Sequence, residues 1–431
     1  MPPVVVVGGG IAGLVCATEL ARAGQSVLVL EAAENVGGRV RTTWIGGNAI
    51  DYGFQVLFTA YPTLASYLDI NALALRPFRP AAHIITQNNA SLIGDALRDP
   101  SLLLNTLSAS ALTIADKFRL LALRRFARAL SIDECFSAQF RNVSTREFLV
   151  ERGFSHSVID GFFVPFYGGI LLDRTLATSA SVLIFTFKML SEGDTALPAN
   201  GMAAIPTQLA SKLPGGSVRT SARVQSLCVD SGRVVAVVLD DGELINASDV
   251  VIATEPAAAS ALAATANVHL TEQIASRGST SLYFTANSAP LPGRSLWLNG
   301  ASNAVISHAV TLTEVVPEYA QGKHLLVATA VGESANLPDS QLDEFARREL
   351  SQMSTVGNVG LLPALTRVAI MRVPFSQFAQ PPGFTPAKPE FNNAPLGLWR
   401  ASELMHSSSL EGAARGGQTA ARALLARNAG T

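Results

Sequence analysis

The chain has 431 residues, more than a single core usually holds, so its length predicts two domains. Hydrophobic residues make up 48% of it and charged residues only 15%, which excludes an intrinsically disordered protein. With 32 Lys and Arg against 33 Asp and Glu, the net charge of −1 provides no overall field for recruiting nucleic acid or an anionic membrane.

The first predicted elements are a strand and a helix joined by a glycine-rich turn. Four valines at 4–7 lead into a G-x-G-x-x-G motif made by Gly8, Gly10 and Gly13, and a helical pattern follows. In such a motif the first glycine permits a tight turn, the second lets the backbone approach a pyrophosphate, and the third lets the helix pack on the strand. The helix N-terminus offers N–H groups and the positive end of a dipole to phosphates, so these residues predict a dinucleotide site.

An acid completes this unit. The second predicted strand, at 27–30, ends on Glu31, eighteen residues after the last glycine of the motif. A carboxylate at that position can accept hydrogen bonds from an adenosine ribose, and it would repel a 2′-phosphate. The motif therefore predicts NAD or FAD and disfavours NADP, and it does not distinguish NAD from FAD.

The remaining elements alternate in kind along the chain. Two glycine turns, at 35–42 and 46–55, precede a segment from about 61 to 191 whose pattern is mostly helical, with caps at Asp99 and Asp116. Downstream, turn residues separate short apolar runs that are typical of strands. We predict strands at 218–220, 222–229, 233–239, 250–253 and 396–401, a strand-rich stretch at 278–331, and helices at 341–353 and 410–426.

The predicted helix at 116–130 has a basic side and an apolar side. At 100° per residue, one side holds Lys117, Arg124, Arg125 and Arg128. Most of the other side is apolar: Phe118, Ala122, Leu123, Phe126, Ala127 and Leu130. We expect the apolar side to face the core and the basic side to face solvent. The alternative is a basic helix that lies on an anionic membrane surface, which leaves peripheral membrane contact open.

Cysteine and histidine spacing indicates the compartment and argues against a metal site. Cys16, Cys135 and Cys228 are far apart and odd in number, which predicts free thiols in a reducing, cytoplasmic environment. The six histidines lack the H-x-x-x-H and H-E-x-x-H spacings of metal-binding helices, so we expect no metal. The N-terminus lacks a signal-peptide pattern, and no apolar run reaches the roughly 20 residues of a membrane-spanning helix, so we expect no transmembrane segment.

Several motifs, in one order along the chain, carry a family resemblance. They are the N-terminal glycine motif, Gly37-Gly38-Arg39, Asp51-x-Gly53, and a C-terminal pair at 398–403 and 407–413. Together they resemble the flavin-containing amine oxidase superfamily, which also holds protoporphyrinogen oxidases and phytoene-desaturase-type carotenoid enzymes. The resemblance implies an FAD-dependent oxidoreductase. Its FAD is expected to be non-covalent, since no cysteine follows Cys228 to attach the flavin.

The resemblance also implies the architecture. The fold class is α/β, with a Rossmann-like FAD-binding domain of the GR2 type, discontinuous in sequence, and a mixed α+β substrate-binding domain. We place the FAD-binding domain at 1–75, 195–260 and 385–431, and the substrate-binding domain at 76–194 and 261–384.

Carried over residue by residue, the resemblance implies FAD contacts at both ends and in the middle of the chain. Ser402 stands where the family has glycine, and the N–H groups that open the last helix would face flavin N1 and the C2 carbonyl. The implied cofactor-binding residues are Gly8, Gly10, Ile11, Ala12, Gly13, Glu31, Ala32, Gly37, Gly38, Arg39, Gly53, Phe54, Gln55, Val224, Ala253, Thr254, Ser402, Glu403, Leu410, Glu411 and Ala413.

The resemblance favours a hydrophobic substrate. Residues 162–169 resemble the desaturase and protoporphyrinogen-oxidase branch, and many amine oxidases carry a mid-chain strand lysine that 278–284 lacks. This implies hydride removal from a C–H bond of a polyene- or porphyrinogen-like small molecule, with O2 or a quinone as electron acceptor. The alternative is a flavin amine oxidase that converts an amine to an imine and releases peroxide. A third is a non-catalytic scaffold that holds the dinucleotide.

Candidates for the chemistry beyond the cofactor are few. No catalytic acid or base stands out, and His406, in the turn after Glu403, is the single candidate. The expected lining of the substrate pocket is aromatic: Phe166, Tyr167, Trp297 and Trp399.

Overall fold

The computed structural model of the protein describes residues 1–86, 88–109, 112–270 and 274–429. The predicted domain ranges also include 87, 110–111, 271–273 and 430–431, which lie outside the described residues. The strands are β1 Val4–Val7, β2 Val27–Leu30, β3 Thr42–Ile45, β4 Asn48–Asp51, β5 Leu57–Phe58, β6 Leu75–Pro77, β7 Ala81–Ile85, β8 Ala90–Gly94, β9 Thr195–Pro198, β10 Val218–Arg219, β11 Val224–Asp230, β12 Arg233–Leu239, β13 Leu244–Asn246, β14 Asp249–Ile252, β15 Ser276–Ala286, β16 Leu296–Asn299, β17 Ile306–Thr311, β18 His324–Val331, β19 Thr366–Phe378 and β20 Leu398–Arg400.

Helices fill most of the intervals between the strands. The α-helices are α1 Ile11–Arg22, α2 Pro62–Ala65, α3 Leu103–Ser108, α4 Ile114–Ala129, α5 Ile132–Cys135, α6 Ala138–Arg141, α7 Thr145–Glu151, α8 His156–Val158, α9 Val164–Ile170, α10 Ala180–Glu192, α11 Ala204–Ser211, α12 Pro256–Ala264, α13 Leu312–Val315, α14 Asp339–Val356 and α15 Leu410–Ala429. A π-helical turn at Ile159–Phe163 leads into α9, and short 3₁₀ helices lie at Pro100–Leu102, Pro317–Tyr319, Gly332–Asn336 and Glu403–Met405. Among the residues that the structure describes, no helix has both the length and the apolar character needed to cross a bilayer.

A parallel sheet in the order β10-β2-β1-β14-β20 determines where the cofactor site lies. β1 is four valines, all buried, as expected for a strand covered on both faces. Val7 pairs with Leu30 on one side and with Ile252 on the other, so these three strands end level with one another. The turns that follow them meet at the carboxyl edge, where ligands bind in open parallel sheets.

A mixed sheet in the order β19-β15-β18-β17-β16-β7-β8 faces two separate cores. Leu282 and Phe284 of β15 pack with Leu350 of α14 on one face. Tyr283, between them, points to the other face because side chains alternate along a strand. Its hydroxyl donates to the carbonyl of Asp51 at 2.9 Å, so this second face is turned toward the glycine turns of the N-terminal region.

The segment from 61 to 191 is less helical at its start than predicted. It contains β6, β7 and β8, and β7 joins the mixed sheet through Ala82, which pairs with Leu296 of β16. Ala82 and Ile84 are buried and alternate with partly exposed residues, which is the period of a strand with one covered face. A five-residue strand gives a weak periodic signal, and its partner lies over two hundred residues later, so the local pattern missed it.

Of the two helix caps predicted in this segment, Asp99 is correct, and Asp116 lies three positions after the residue that caps α4. Asp99 caps its 3₁₀ helix, with its side chain accepting from the N–H of Ser101. For α4 the cap is Thr113, whose hydroxyl accepts from the N–H of Asp116. Asp116 lies buried in the first turn, because its carboxylate accepts hydrogen bonds from the backbone and hydroxyl of Ser155.

Helix α4 is rotated relative to the predicted orientation. Leu123 and Ala127 are buried as expected, but Phe118 is 68% exposed. Arg124, predicted on the solvated side, turns inward and pairs with Asp95 at 3.2 Å. Apolar residues occur on both sides of this helix, so periodicity alone could not select the buried one.

The strands predicted between 218 and 253 are present as β10, β11, β12 and β14, with β13 added to the meander. All strands of the parallel sheet fall within the ranges predicted for the FAD-binding domain. The strands of the mixed sheet fall within the ranges predicted for the substrate-binding domain. The division into these two domains, with its boundaries, stays a prediction.

Candidate active site

The glycine-rich turn after β1 is packed too closely for side chains at two of its positions. A Cβ on Gly8, whose φ is +111°, would lie 2.8 Å from the carbonyl oxygen of Ala253. A Cβ on Gly13 would lie 2.0 Å from the carbonyl oxygen of Gly8, so the helix rests directly on the turn. Around Gly10 a Cβ would meet no described atom within 4 Å, so this residue faces an open crevice.

The crevice presents groups that fit a pyrophosphate. Gly10 is the N-cap of α1 and supplies no side-chain cap, so the first-turn N–H groups are available to an anion. Gly38 approaches from the next loop, since its Cβ would lie 3.7 Å from Cα of Gly10. The hydroxyl oxygen of Thr254 is buried and has no hydrogen-bond partner among the described residues. Backbone donors without overlying side chains, together with an unpaired hydroxyl, suit a dinucleotide phosphate.

Glu31 organises the loop around the predicted ribose site. Its carboxylate accepts from the N–H of Gly9 and from the N–H of Ala33, both at 2.8 Å. Its backbone carbonyl accepts from the N–H of Ala222, two residues before Val224. A carboxylate can accept about four hydrogen bonds, so Glu31 keeps capacity for ribose hydroxyls.

An ion pair joins the two ends of the chain at the crevice. Nη2 of Arg39 lies 2.6 Å from Oε1 of Glu403, 364 positions later. The other carboxylate oxygen of Glu403 accepts from the hydroxyl of Ser408 at 3.3 Å. Because Arg39 follows Gly38, which lies against Gly10, this pair brings Glu403 to the edge of the crevice.

The last helix, α15, packs directly against the first. A Cβ on Gly417 would lie 2.2 Å from the carbonyl oxygen of Ala12, and one on Gly416 would lie 2.1 Å from that of Ser402. Ser402 has an extended backbone, so the serine that replaces the family's glycine carries no strain. Its hydroxyl accepts from the N–H of Leu404 and caps the 3₁₀ helix that follows.

The side chain of Glu411 has a structural partner. Its two oxygens accept from the N–H groups of Thr63 and Leu64, both at 3.0 Å, at the start of α2. A cofactor contact at Glu411 is therefore left to its backbone. Leu410 and Ala413 share the first turn of α15, at the positive end of its dipole, which stabilises negative charge.

The turn at Phe54 and Gln55 connects the cofactor loops to the mixed sheet. Nε2 of Gln55 donates to the carbonyls of Arg39 and Tyr52, both at 2.8 Å. The N–H of Phe54 donates to the hydroxyl of Ser281 in β15 at 3.2 Å. Gln55 is thus a brace between two loops, and Phe54 is held against the face of the sheet.

Asp51, just before this turn, is a buried carboxylate whose role the sequence did not show. It accepts hydrogen bonds from the N–H of Met202, the hydroxyl of Thr42 and the hydroxyl of Tyr319. Burial raises the pKa of Asp51 to about 6, against these hydrogen bonds, which favour its charged form. Only the three-dimensional structure brings these donors together, since they come from three distant segments.

These contacts bring Gly10, Glu31, Gly38, Arg39 and Glu403 together around one crevice. The remaining members lie on the same loops and first helical turn: Ile11, Ala12, Ala32, Gly37, Gly53 and Ala253. Direct contacts of each residue with FAD stay predictions.

A series of aromatic rings lies on α9 and the π-helical turn before it. Phe166 stacks on Phe162 with centroids 5.7 Å apart. Tyr167 stacks between Phe163 at 5.8 Å and Phe187 at 6.4 Å. Burial raises the pKa of Tyr167 well above its ordinary value, so its hydroxyl remains protonated. Phe166 is half-buried and stays a candidate for the predicted pocket, whereas Tyr167 is fully buried between two rings, as a core residue is.

The two tryptophans predicted for the pocket lie in cores instead. Trp297 is on the face of the mixed sheet turned to α14, where its ring stacks on His83 at 4.1 Å. Trp399 is in the parallel sheet, and its indole N–H donates to Asp249 at 3.1 Å. Sequence could not place either residue, because the side to which a strand residue points depends on the register of its neighbours.

His406, the single candidate for an acid or base, lies in the turn between Glu403 and Ser408. Its Nε2 lies 3.2 Å from the hydroxyl of Thr419, and it lines a cavity of about 100 Å³ with Asp133 and Arg415. Burial, followed by the nearby Arg415, lowers the pKa of His406 to about 4. A base with that pKa is poorly matched to neutral pH.

His308 is a buried group that the sequence analysis did not single out. A bulge in β17 places Ser307 and His308 beside Gly169 of α9, where a Cβ would lie 2.9 Å from Nδ1 of His308. The imidazole faces the ring of Phe54 at 5.2 Å, and its Nε2 has no partner among the described residues. Burial and then Arg174 lower its pKa to about 4, so it is neutral at physiological pH.

The family model of flavin-containing amine oxidoreductases matches residues 11–425. The chain belongs to this family. The cofactor is accordingly FAD and the protein is an FAD-dependent oxidoreductase, which confirms the prediction from the glycine motif and its C-terminal counterparts.

Relatives in this family have diverse names. Protoporphyrinogen oxidase 2 of Arabidopsis thaliana is 30% identical over 38% of this chain and 32% of its own length. L-amino-acid oxidase of Crotalus adamanteus is 31% identical over 35% of this chain and 30% of its own. Hydroxyneurosporene desaturase of Cereibacter sphaeroides is 51% identical over 13% of this chain and 12% of its own. The chain thus spans about a third or less of each of these relatives.

The fold has counterparts among solved structures. A protein of Exiguobacterium, assigned provisionally as a protoporphyrinogen oxidase, superposes with a TM-score of 0.73 at 18% identity, covering 99% of both chains. At this identity the likeness establishes the fold alone. It confirms the α/β class with a Rossmann-like FAD-binding part and a mixed α+β part.

Proposed function

We propose that this flavoenzyme removes a hydride equivalent from a C–H bond of a hydrophobic, polyene- or porphyrinogen-like substrate. The observation that carries the proposal is a set of half-buried rings: Phe162 and Phe166 stack at 5.7 Å, and the neutral His308 lies between Gly169 of α9 and the ring of Phe54. Such a surface stabilises an extended apolar molecule by removing it from water.

The protein's own residues bind, orient and exclude water, while FAD when bound accepts the hydride. Ser281 holds the backbone of Phe54, so the ring keeps a fixed position beside the crevice. The positive end of α15 stabilises negative charge that develops on a ligand placed against it. His308, neutral and with an unpaired Nε2, can hydrogen-bond an uncharged polar atom of the substrate.

An amine substrate is the alternative, and the family's name and its L-amino-acid oxidase relative favour it. A protonated amine would need a carboxylate partner in the pocket. The nearby buried carboxylate, Asp51, is already bonded to three donors, and no lysine occurs at 278–284 of β15. These features favour the apolar substrate.

The experiment mixes the FAD-loaded enzyme anaerobically with a porphyrinogen, a polyene and a panel of amines, and follows loss of the oxidised-flavin absorbance. We expect bleaching by an apolar compound and reoxidation by a quinone or by O2. Phe166→Ser should raise KM for that compound, whereas the control Phe345→Ser, a half-buried ring on α14, should not. Rapid bleaching by a simple amine, with peroxide released in air, would overturn the proposal.

A further inference from the structure

Exposed apolar side chains are concentrated in one small part of the molecule. Of the fifteen large hydrophobic residues exposed among the described residues, six lie between 103 and 121. We call them the apolar patch: Leu103, Leu104 and Leu107 of α3, and Ile114, Phe118 and Leu121 of α4. Large exposed apolar side chains concentrated in this way mark an interaction site, because covering them removes apolar surface from water.

The two helices present the patch as one surface. The ammonium group of Lys117 donates to the carbonyl of Leu107, which holds α3 against α4. Ile114, Phe118 and Leu121 follow the i, i+4, i+7 spacing, so they form a line along the outer side of α4. Leu123, on the opposite side, is fully buried, so the fold makes no use of the outer line.

The charge on the outer side of α4 indicates which kind of partner the apolar patch would bind. At 100° per residue, Arg125 and Arg128 continue the line of Phe118 and Leu121 toward the C-terminus of α4, and both are exposed. The outer side is therefore apolar in its first two turns and basic in its last two. A helix of this kind can dip its apolar end among acyl chains while its arginines meet anionic headgroups.

Local composition strengthens this assignment. Residues 100–132 contain five Lys and Arg and a single acid, Asp116, in a chain whose net charge is −1. Asp116 is buried and pairs with Arg119, and Arg124 pairs with Asp95, so Arg125 and Arg128 are the exposed bases of this segment. A second copy of the chain, docked patch to patch, would bring like charges together, whereas an anionic bilayer is complementary to them.

The patch lies one helix away from the aromatic rings of the site. On its inner side, α4 contacts α10 through Arg124, which donates to the carbonyl of Ser191, and through Lys188, which donates to the carbonyl of Arg128. On α10, Phe187 stacks on Tyr167. A bilayer at the patch would therefore stand close to the pocket proposed for apolar substrates.

We propose that the apolar patch is a peripheral membrane-binding surface that inserts Ile114 and Phe118 into the headgroup region of an anionic bilayer. This role is independent of the identity of the substrate. It goes beyond the proposed function, because the protein would bind lipid whether it oxidises a polyene or an amine.

The test is flotation of the FAD-loaded protein with phosphatidylcholine vesicles, with and without phosphatidylglycerol. We expect binding to the anionic vesicles, and a loss of about 10- to 100-fold in partition for Ile114→Ser/Phe118→Ser, since 1.4 kcal/mol corresponds to a factor of ten. The control Leu361→Ser removes an equally apolar side chain that is 97% exposed elsewhere and should bind like wild type. Arg125→Gln/Arg128→Gln should weaken binding to the anionic vesicles.

The outcomes separate lipid from other partners and from misfolding. Flavin absorbance and far-UV circular dichroism establish that each variant is folded. If the double variant Ile114→Ser/Phe118→Ser does not fold, Leu104→Ser replaces it as the patch variant. Wild type that does not float with anionic vesicles would overturn the proposal. So would patch variants that float like wild type, or sedimentation showing that the patch substitutions abolish a dimer of the lipid-free protein.

Discussion

The glycine crevice and the aromatic side of the mixed sheet are built on different kinds of contact. At the crevice, backbone meets backbone: Gly13 rests on Gly8, and Gly417 rests on Ala12. At the aromatic side, rings and an imidazole meet through a strand bulge at His308. Backbone contacts tolerate no added atom, whereas side-chain contacts can repack. We therefore expect substitutions at the crevice to act on folding and cofactor binding, and those at the sheet to act on substrate binding.

The largest effect is expected for Gly417→Ala. The new methyl group would lie 2.2 Å from the carbonyl oxygen of Ala12 and 3.0 Å from the backbone nitrogen of Cys16, so α1 and α15 must separate. Overpacking against backbone should cost about 3 kcal/mol. The urea midpoint of the FAD-free protein, followed by circular dichroism, measures this.

Its matched control is Gly161→Ala, where the added methyl group meets no described atom within 4 Å. An unchanged midpoint is expected there, or a slight gain from higher helix propensity. Equal midpoints for Gly417→Ala and wild type would show that the two terminal helices are not packed as the structure has them.

Gly10→Ala sharpens the comparison, because it should weaken FAD binding and leave the stability of the fold unchanged. Its methyl group would enter the open crevice, and the φ of −76° suits alanine. We expect an unchanged urea midpoint without FAD and an affinity for FAD about tenfold or more lower, since the pyrophosphate approaches this backbone. Fluorescence titration with FAD measures the affinity, and Gly215→Ala, in open space elsewhere, is the control. Unchanged affinity would remove Gly10 from the predicted phosphate site.

The sequence predicted those parts of the site that depend on neighbouring residues or on a family motif. Glu31 ends the strand after the glycine motif and its helix, and it bonds to Ala33, two positions away, and to Gly9 of the motif, 22 positions away. Glu403 was identified from the C-terminal motif, and its pairing with Arg39 across 364 positions is a consequence of the sheet that both termini share. These residues could be predicted from the sequence, and their contacts with FAD stay predictions.

Long-range register and helix rotation could not be predicted. The sequence predicts Trp297 as a pocket aromatic, yet the pairing of β16 with β7 and β17 turns it to the face of the sheet that α14 covers. Phe118 repeats at a helical period and still lies outside, because Leu123 and Ala127 fill the core instead. His308 owes its position to a bulge, and a bulge leaves no periodic signal. In each case the packing of the folded chain decided which face a side chain took, and local periodicity does not show it.

The smallest effect expected is a difference in pH response, with opposite signs in the two regions. Burial raises the pKa of Asp51 from 3.8 to about 6, so its contribution to stability is present below pH 4 and is lost as pH rises through 6. Burial lowers the pKa of His308 from 6.5 to about 4, so its contribution is present above pH 6.5 and is lost as pH falls through 4. For each group, the free energy of unfolding changes by at most about 1.4 kcal/mol per pH unit.

Between pH 4 and 6, stability relative to wild type should therefore rise with pH for Asp51→Asn and fall with pH for His308→Gln. Urea midpoints at several pH values measure both trends, and slopes of the same sign would show that one of the two groups is not buried as the structure places it.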